Sequence, residues 1–270
     1  MSRSKKLLRL LLLILFAVST LLLVRQFADN AGGSGSYDRA LDLAQSSKKS
    51  SAVQVTETSP ESSLPQWVPA PIEEDDPHIF QLESLDLSAL QAVNPDVVGW
   101  IRIPDTRVDY PLMQGQDNDY YLTHTWDGQE NSVGSIFLEH RNHMDFTDFN
   151  TIVYGHNMND GSMFAALPRF ATTWYYERHP YVYILTASGV LRYEVFASYR
   201  ASVEGSTYGL SFQQDMTKVN FLTDAVKNSQ LTTDIQPALT DRILTLSTCS
   251  GVGYSNRWVV HARLKMVPSE

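Results

Sequence analysis

One stretch of the chain has a strict two-residue period: residues 191–200, LRYEVFASYR. The apolar positions are Leu191, Tyr193, Val195, Ala197 and Tyr199, and the polar positions between them include Arg192, Glu194, Ser198 and Arg200. A period of two is typical of a β-strand that buries one face and exposes the other. The stretch therefore predicts a long strand in a sheet with an apolar side.

On both sides of this stretch, short segments with a strand-like pattern recur between Gly, Pro, Asn and Asp residues. Together with 190–199 they are Val98–Ile103, Val108–Leu112, Ser135–Leu138, Thr151–Gly155, Tyr181–Leu185, Arg242–Thr248 and Trp258–Met266. About eight short strands in one domain are typical of a closed or nearly closed barrel. The predicted fold is therefore mainly β, an eight-stranded barrel with added helices.

Two segments have a helical rather than a strand pattern. Leu85–Val93 is followed by Asn94-Pro95, which stops a helix. The second segment begins with Ser211–Gln214, which matches a capping box. Its apolar residues recur at helical spacing, and we expect this stripe to pack in the core. They are Phe212, Met216, Val219, Leu222 and Val226. The sequence thus predicts an N-terminal helix and a long helix before the strand at 242–248.

The N-terminus carries an apolar run, Leu10–Val24, behind a basic flank. Counted from Leu7 the run reaches about 18 residues, marginally enough to cross a bilayer. A cleaved signal peptide has a similar pattern, but no A-x-A site follows and Arg25-Gln26 closes the run abruptly. We predict an uncleaved signal anchor over residues 1–28, with the basic end in the cytoplasm and the remainder outside.

The composition changes twice after the apolar run. Asp29–Pro71 is rich in Ser, Gly, Ala, Gln and Thr, which bury little apolar surface, so residues 29–72 are predicted to form a flexible extracellular stalk. Residues 73–270 have a mixed composition, and their length is that of a single domain. We expect this last part to fold as one domain.

Charge and cysteine content exclude several functions. Residues 1–25 hold five basic side chains and no acid, so the remaining 16 basic and 30 acidic side chains give a net charge of −14. A surface this acidic repels phosphate backbones, which argues against nucleic-acid binding. The single cysteine, Cys249, excludes an internal disulfide and a thiolate-rich structural zinc site.

Cys249 is the last residue of a predicted strand, on the face opposite Leu244 and Leu246. The predicted loop 250–256 leads into the next strand, which starts at Arg257. Consecutive strands are usually neighbours, so Cys249 and Arg257 are expected to flank one hairpin mouth. Two interpretations of Cys249 are open: a buried, inert cysteine or a catalytic thiol. A catalytic thiol needs a base or a cation nearby to favour the thiolate.

Several histidines could provide that base. His78 lies in an acidic segment and His179 precedes a proline, so both are predicted to be solvated, and His261 falls on the outward face of its strand. His140 and His143 are paired, but Arg141 between them disfavours a metal ion. His156 directly follows the apolar strand 151–155, where Gly155 lets the backbone turn. It is therefore the histidine expected to face a cleft.

These residues carry a resemblance to a known family. Thr245–Cys249, TLSTC, followed by Arg257, resembles the signature of sortases, and Tyr154–Met158, YGHNM, resembles their histidine segment. Further similar runs are Asn94–Ile101, Asp109–Pro111 and Asp148–Val153, and with the helix near 211–227 they resemble class B sortases. The resemblance covers roughly 94–266 and has no departure at a catalytic position.

The resemblance implies an eight-stranded sortase-like barrel and a cysteine transpeptidase of the Gram-positive cell membrane. Its partners would be secreted proteins with a C-terminal sorting signal of the LPxTG or NPxTN kind and an amine of a peptidoglycan precursor. Cys249 would be the nucleophile, His156 the general acid and base, and Arg257 the oxyanion-stabilising cation. Ser247 and Thr248 would contact the substrate, and no cofactor or metal is implied. The alternatives are a hydrolytic cysteine peptidase, a pilin-polymerising sortase and a membrane-tethered binding module.

Overall fold

The structure, a computed structural model, describes residues 3–47, 67–71, 76–249 and 255–268. The helices are α1 Arg3–Ser47, α2 Pro77–Glu83, α3 Leu87–Gln91, α4 Thr173–Arg178 and α5 Asp215–Asn228. The strands are β1 Trp67–Pro69, β2 Val97–Arg102, β3 Asp109–Met113, β4 Ile136–Leu138, β5 Asn150–Tyr154, β6 Tyr181–Thr186, β7 Gly189–Ser202, β8 Arg242–Cys249, β9 Asn256–Leu264 and β10 Met266–Pro268.

Eight of the strands close into a barrel in the order β2–β3–β4–β5–β8–β9–β7–β6. The predicted barrel is therefore confirmed, and each predicted barrel strand is present. The β3–β4 and β5–β8 pairs are parallel, whereas the other neighbours are antiparallel. Parallel neighbours need a long crossover, and the chain between β5 and β8 contains β6, β7 and α5. This crossover brings β8 beside β5.

The stretch 191–200 lies in β7, which pairs with both β6 and β9. A β-bulge between Val195 and Ala197 changes which face of the sheet the later side chains occupy. Tyr193 and Val195 pack inside the barrel, whereas Ala197 and Tyr199 pack in a second cluster under α5. The prediction of one continuous apolar face is therefore wrong beyond residue 195, because one extra residue moves all later side chains to the opposite face.

Helix α5 differs from its prediction at its start and in its buried face. The helix begins at Asp215 rather than Ser211, and its N-cap residue Gln214 makes no side-chain capping bond within the described residues. Of the predicted core stripe, Leu222 is buried, but Met216, Val219 and Val226 are 64%, 39% and 42% exposed. The stripe prediction is therefore wrong for those three residues. The buried face contains Phe221, Leu222 and Ala225, which pack against Phe196, Tyr199, Ile243 and Val259.

The N-terminal region of the domain also differs from the prediction. The predicted helix Leu85–Val93 is shorter, since α3 begins after its N-cap Asp86, whose side chain accepts from the backbone N–H of Ser88. Trp67–Pro69, in the predicted stalk, pairs with β10 in a small separate sheet. The middle of the predicted stalk, residues 48–66, lies outside the described residues.

Residues 29–47, predicted as a flexible stalk, are helical and belong to α1. Tyr37, Ala40 and Ala44 are buried against the barrel domain. The ring of Tyr37 meets that of Tyr110 edge-on at 5.1 Å between centroids, and the Trp126 indole N–H donates to the Ser36 carbonyl at 2.9 Å. The stalk prediction is wrong here because composition does not show the apolar surface that the barrel offers to small residues.

The part of α1 before this docked segment holds the apolar run 10–24, whose large side chains are more than half exposed. Within the described residues, no helix combines the length and the apolar character of a membrane span.

Alanine substitutions at two glycines test whether α1 is docked on the barrel. A methyl group at Gly35 would meet nothing within 4 Å, so Gly35→Ala is expected to stabilise the protein by about 0.5–1 kcal/mol through helix propensity alone. A methyl group at Gly33 would lie 2.9 Å from a Val133 methyl group, so Gly33→Ala is expected to destabilise the docked helix. Urea denaturation followed by tryptophan fluorescence measures both variants. Equal stabilisation by both substitutions would show that α1 is not docked at Val133.

Candidate active site

The site is built by three neighbouring strands at one end of the barrel. In the parallel β5–β8 pair Tyr154 lies opposite Ser247, and the Gly155 N–H donates to the Ser247 carbonyl at 3.2 Å. In the antiparallel β8–β9 pair Cys249 lies opposite Arg257. His156 and Cys249 each lie two residues beyond the Tyr154–Ser247 pair. The backbone register therefore places the three predicted catalytic positions side by side.

A cleft of about 380 Å³ opens at this end of the barrel. It is lined by Asn118, Asp119, Leu122, Phe137, Glu139, Arg141, Tyr154, Gly155, His156, Val203, Tyr208, Ser247, Thr248 and Arg257. Four of the predicted site residues, His156, Ser247, Thr248 and Arg257, thus share one cleft. Cys249 is placed by its backbone register, and residues 250–254 of the predicted loop lie outside the described residues.

The orientation of His156 follows from one hydrogen bond. Its Nε2 lies 2.7 Å from the Leu122 carbonyl oxygen, which can only accept. Nε2 therefore carries the hydrogen, and Nδ1 is the basic nitrogen of the neutral ring. Gly155 before it has a packing role rather than the predicted turning role, because a Cβ there would lie 2.8 Å from the Phe164 ring. The result is a half-buried imidazole held at the exit of β5.

Arg257 lies at the start of β9, between Cys249 on β8 and Ala201 on β7. It is half-buried, and its Nη1 donates to the Asn256 carbonyl at 3.2 Å. A guanidinium keeps its charge at any physiological pH and offers several donors in one plane. The site therefore holds a fixed cation next to the cysteine position.

A buried carboxylate forms the floor of the cleft. Glu139 is 1% exposed and accepts from Arg141 Nε at 2.7 Å, from Asn118 Nδ2 at 2.7 Å and from the Tyr154 hydroxyl at 3.0 Å. Burial raises the pKa of Glu139, but these hydrogen bonds outweigh it, and the net pKa lies below the usual value. Burial, followed by the Glu139 charge, raises the pKa of the Tyr154 hydroxyl. The floor thus consists of a charged acceptor held by one cationic donor, Arg141, and two neutral donors, Asn118 and Tyr154.

One wall of the cleft is formed by Tyr208. Its hydroxyl lies 2.8 Å from Ser247 Oγ, and its ring is nearly parallel to that of Tyr154, with 6.5 Å between centroids. Ser247 and Thr248 are each 1% exposed, so they form the base of the cleft rather than its rim. Sequence reasoning missed Glu139, Asn118 and Tyr208, because only the barrel brings these distant segments together.

The remaining histidines lie elsewhere. His179 was predicted to be solvated, which is wrong: it is buried, and its Nδ1 lies 2.9 Å from the Pro104 carbonyl. His78 is half-buried, with its ring 5.6 Å from that of Tyr183. His261 points out of the barrel as predicted but is fully buried under α5.

His140 and His143 each contact a different carboxylate. His140 Nδ1 lies 3.1 Å from Glu139 Oε1, and His143 Nδ1 lies 2.9 Å from Asp148 Oδ1. The hydrogen bond from Asp148 raises the pKa of His143. Among the described residues, no cluster of three or more His, Cys, Asp or Glu side chains could hold a metal ion.

Comparison with known proteins gives a consistent result. The Sortase domain family matches residues 101–265. Sortase B of Listeria monocytogenes is 41% identical over 167 residues, which cover 61% of this chain and 67% of that protein. Sortase B of Staphylococcus aureus is 32% identical over 161 residues, which cover 60% of this chain and 66% of that protein. The chain thus spans about two thirds of the length of these relatives.

Solved structures agree with this result. The structure of Staphylococcus aureus sortase B matches with a TM-score of 0.63 at 30% identity, covering 68% of this chain and 87% of that one. Sortase B from B. anthracis in complex with AAEK1 matches with a TM-score of 0.68 at 30% identity, covering 90% of this chain and all of that one. The chain therefore belongs to the sortase family of cysteine transpeptidases, and the predicted resemblance to class B sortases is confirmed.

Proposed function

We propose that this sortase cleaves a C-terminal sorting signal of secreted proteins through a thioester on Cys249 and transfers the acyl group to an amine. The observation that supports the proposal is the register of β5, β8 and β9, which brings the backbone positions 156, 249 and 257 side by side at one end of the barrel. A thiol, an imidazole and a guanidinium are the groups that acyl transfer requires.

In the first step the thiol of Cys249 gives its proton to Nδ1 of His156, and the sulfur attacks the carbonyl carbon of the scissile peptide bond. A C–S bond forms, and the carbonyl electron pair moves to oxygen, where Arg257 and backbone N–H groups stabilise the negative charge. As the oxyanion collapses, the C–N bond breaks and Nδ1 of His156 gives its proton to the departing amine. The products are a thioester on Cys249 and the released C-terminal fragment.

In the second step an amine attacks the thioester and His156 takes up its proton. The C–S bond breaks, and the thiolate leaves as the new amide forms.

The sorting signal is proposed to be of the LPxTG or NPxTN kind, and the acceptor to be an amine of a peptidoglycan precursor. The solved structures similar to this chain include a Staphylococcus aureus sortase B–substrate complex and a sortase B complexed with triglycine, with TM-scores of 0.62 and 0.63. The cleft of this chain has polar groups for the backbone and side chains of an extended peptide, including Asn118, Arg141 and Tyr208.

A panel of sorting-signal peptides, incubated with and without triglycine, tests this function. We expect a new peptide–triglycine amide, identified by its mass, from at least one LPxTG-like or NPxTN-like peptide. Cleavage that yields only the free acid at all triglycine concentrations would identify a hydrolytic cysteine peptidase instead. Transfer to a lysine of a second protein substrate in preference to triglycine would identify a pilin-polymerising enzyme. No cleavage of any peptide would favour a binding module.

For the location, we propose that residues 1–28 form a cytoplasmic flank and membrane anchor, and that the domain 73–270 lies outside the cell membrane. The support is the basic flank before Leu10–Val24 and the exposure of the large apolar side chains in this part of α1. Segment 29–47, docked on the domain, would then hold the domain close to the bilayer.

Protease accessibility tests the proposed topology. Protease added to intact wall-less cells is expected to digest residues 73–270 and to leave cytoplasmic proteins intact. Lysed cells provide the control for total digestion. Protection of the domain in intact cells, or a mature N-terminus after Val24, would contradict the proposed anchor.

A further inference from the structure

A buried chain of polar groups lies on the outer face of the barrel, under α5. Its centre is His261 on β9, which is fully buried and packs against the rings of Phe196, Tyr199 and Phe221. Its Nδ1 lies 2.9 Å from Thr245 Oγ1, and its Nε2 lies 3.0 Å from the Tyr199 hydroxyl. The proposed reaction makes no use of this histidine.

The amide of Asn150 fixes the direction of the first bonds in the chain. Its Nδ2 lies 3.2 Å from the Thr207 carbonyl and 2.9 Å from the Gly209 carbonyl, so the amino group must face these acceptors. Its Oδ1 then faces Thr245, whose hydroxyl donates to it at 2.6 Å. Because the single hydrogen of Thr245 Oγ1 is used, this oxygen accepts from His261 Nδ1.

The remaining directions follow from the tautomer. With the hydrogen on Nδ1, the Nε2 of neutral His261 accepts from the Tyr199 hydroxyl. The Tyr199 oxygen, 3.0 Å from Thr207 Oγ1, then accepts from the Thr207 hydroxyl. The chain of bonds therefore starts at the hydroxyl of Thr207 and returns, through Asn150, to its carbonyl.

This closed chain of hydrogen bonds fixes the short segment 207–209 between β7 and α5. The side chain of Thr207 and the carbonyls of Thr207 and Gly209 are all held by buried groups, whereas Tyr208 between them lines the substrate cleft. Its hydroxyl meets Ser247, two residues before Cys249 on β8. Segment 207–209 thus connects the buried chain of hydrogen bonds to the wall of the cleft.

We propose that His261 is a positioning residue for the substrate: through Tyr199, Thr245 and Asn150 it holds segment 207–209, so that Tyr208 stands as the wall against which the peptide aligns. Burial lowers the pKa of His261 to about 3, so the ring stays neutral and keeps one tautomer at physiological pH. The groups that face it are uncharged: Thr245 and Tyr199, with the rings of Phe196 and Phe221. This inference rests on the proposed peptide-cleaving function.

The test uses peptide cleavage by the full chain and its variants. His261→Phe removes both ring nitrogens but keeps a ring of similar volume, and is expected to raise KM for the sorting peptide about tenfold with kcat changed less than about threefold. Thr207→Val removes only the hydroxyl and should raise KM about fivefold. Thr207→Ser keeps the hydroxyl and serves as its matched control, with KM near that of the unaltered protein.

Two further measurements separate positioning from general damage. The rate at which a small methanethiosulfonate reagent modifies the thiol should be unchanged in His261→Phe, because the effect is confined to the peptide wall. In a Tyr208→Ala background, His261→Phe should raise KM by less than about twofold further, since the wall it positions is already gone.

Several outcomes would overturn the inference. It fails if Thr207→Val and Thr207→Ser have equal KM values, or if the effects of His261→Phe and Tyr208→Ala multiply. It also fails if His261→Phe lowers kcat as much as it raises KM. If His261→Phe does not fold, the Thr207 pair decides alone. Failure of the proposed function is distinct, because the unaltered protein would then not cleave the peptide.

Discussion

Cys249→Ala is expected to lower the rate of sorting-peptide cleavage by at least about 10³-fold, because it removes the atom that forms the thioester. The backbone register places residue 249 at the last position of β8, beside Arg257 and the exit of β5. A residue at a strand end contributes little to the core, so the midpoint of thermal unfolding should stay within a few degrees. Peptide cleavage by this variant, followed by chromatography, is the measurement.

Ser247→Ala is the matched control for this substitution. Ser247 lies two residues earlier on the same face of β8, and its Oγ contacts the Tyr208 hydroxyl at 2.8 Å. Loss of that bond should slow cleavage less than about tenfold. Equal activity of Cys249→Ala and the unaltered protein would exclude Cys249 as the nucleophile.

Arg257→Lys is expected to lower kcat about 10²-fold even though the charge is retained. The carbonyl oxygen gains negative charge in the transition state, and a planar guanidinium offers two donors to it, whereas an ammonium offers a flexible point charge. Arg257→Ala should be more severe. Both variants should unfold at nearly the same temperature as the unaltered protein, because Arg257 is half-buried at the cleft and contributes little packing.

Arg141→Lys provides a matched control within the same cleft. The Arg141 side chain is 61% exposed and pairs with Glu139, so its replacement should change kcat less than about fivefold. If Arg257→Lys keeps a normal kcat with a raised KM, Arg257 only binds the peptide. Normal values of both parameters would mean that Arg257 does not reach the reacting carbonyl.

Much of the barrel could be predicted from the sequence because the two-residue period is a local property. Segments such as Tyr181–Leu185 and Arg242–Thr248 alternate or form short apolar runs between turn residues, and they are strands in the structure. The pairing of β5 with β8 in parallel is not local, since two strands and α5 intervene in the chain. Periodicity alone could not have predicted that the exits of these strands meet.

The wrong predictions share a physical cause, which is packing against a distant part of the chain. Ala40 and Ala44 are weakly apolar in sequence, but they are buried because the barrel offers a matching surface. His179 precedes a proline, which predicts a turn, yet its ring is buried with a backbone acceptor. Met216 fits an apolar stripe, but α5 packs Phe221, Leu222 and Ala225 against the sheet instead.

The candidate site was predictable only in part for the same reason. Cys249, His156 and Arg257 each lie at the end or start of a strand, which local reasoning can detect. Glu139 and Asn118 are 21 residues apart in sequence and meet only across the cleft floor. In the sequence, the segment Glu139–His143 shows a pair of histidines, whereas Asn118 and Tyr154, which bind the carboxylate of Glu139, lie outside it.

The central claim, a covalent acyl-enzyme on Cys249, is tested most directly by intact-mass spectrometry of the protein quenched in acid during cleavage of a sorting peptide. The account predicts a mass increase equal to the N-terminal peptide fragment. After digestion the added mass should map to the segment that contains Cys249, and added triglycine should lower its amount. Turnover without any adduct, or an adduct on another residue, would contradict the account.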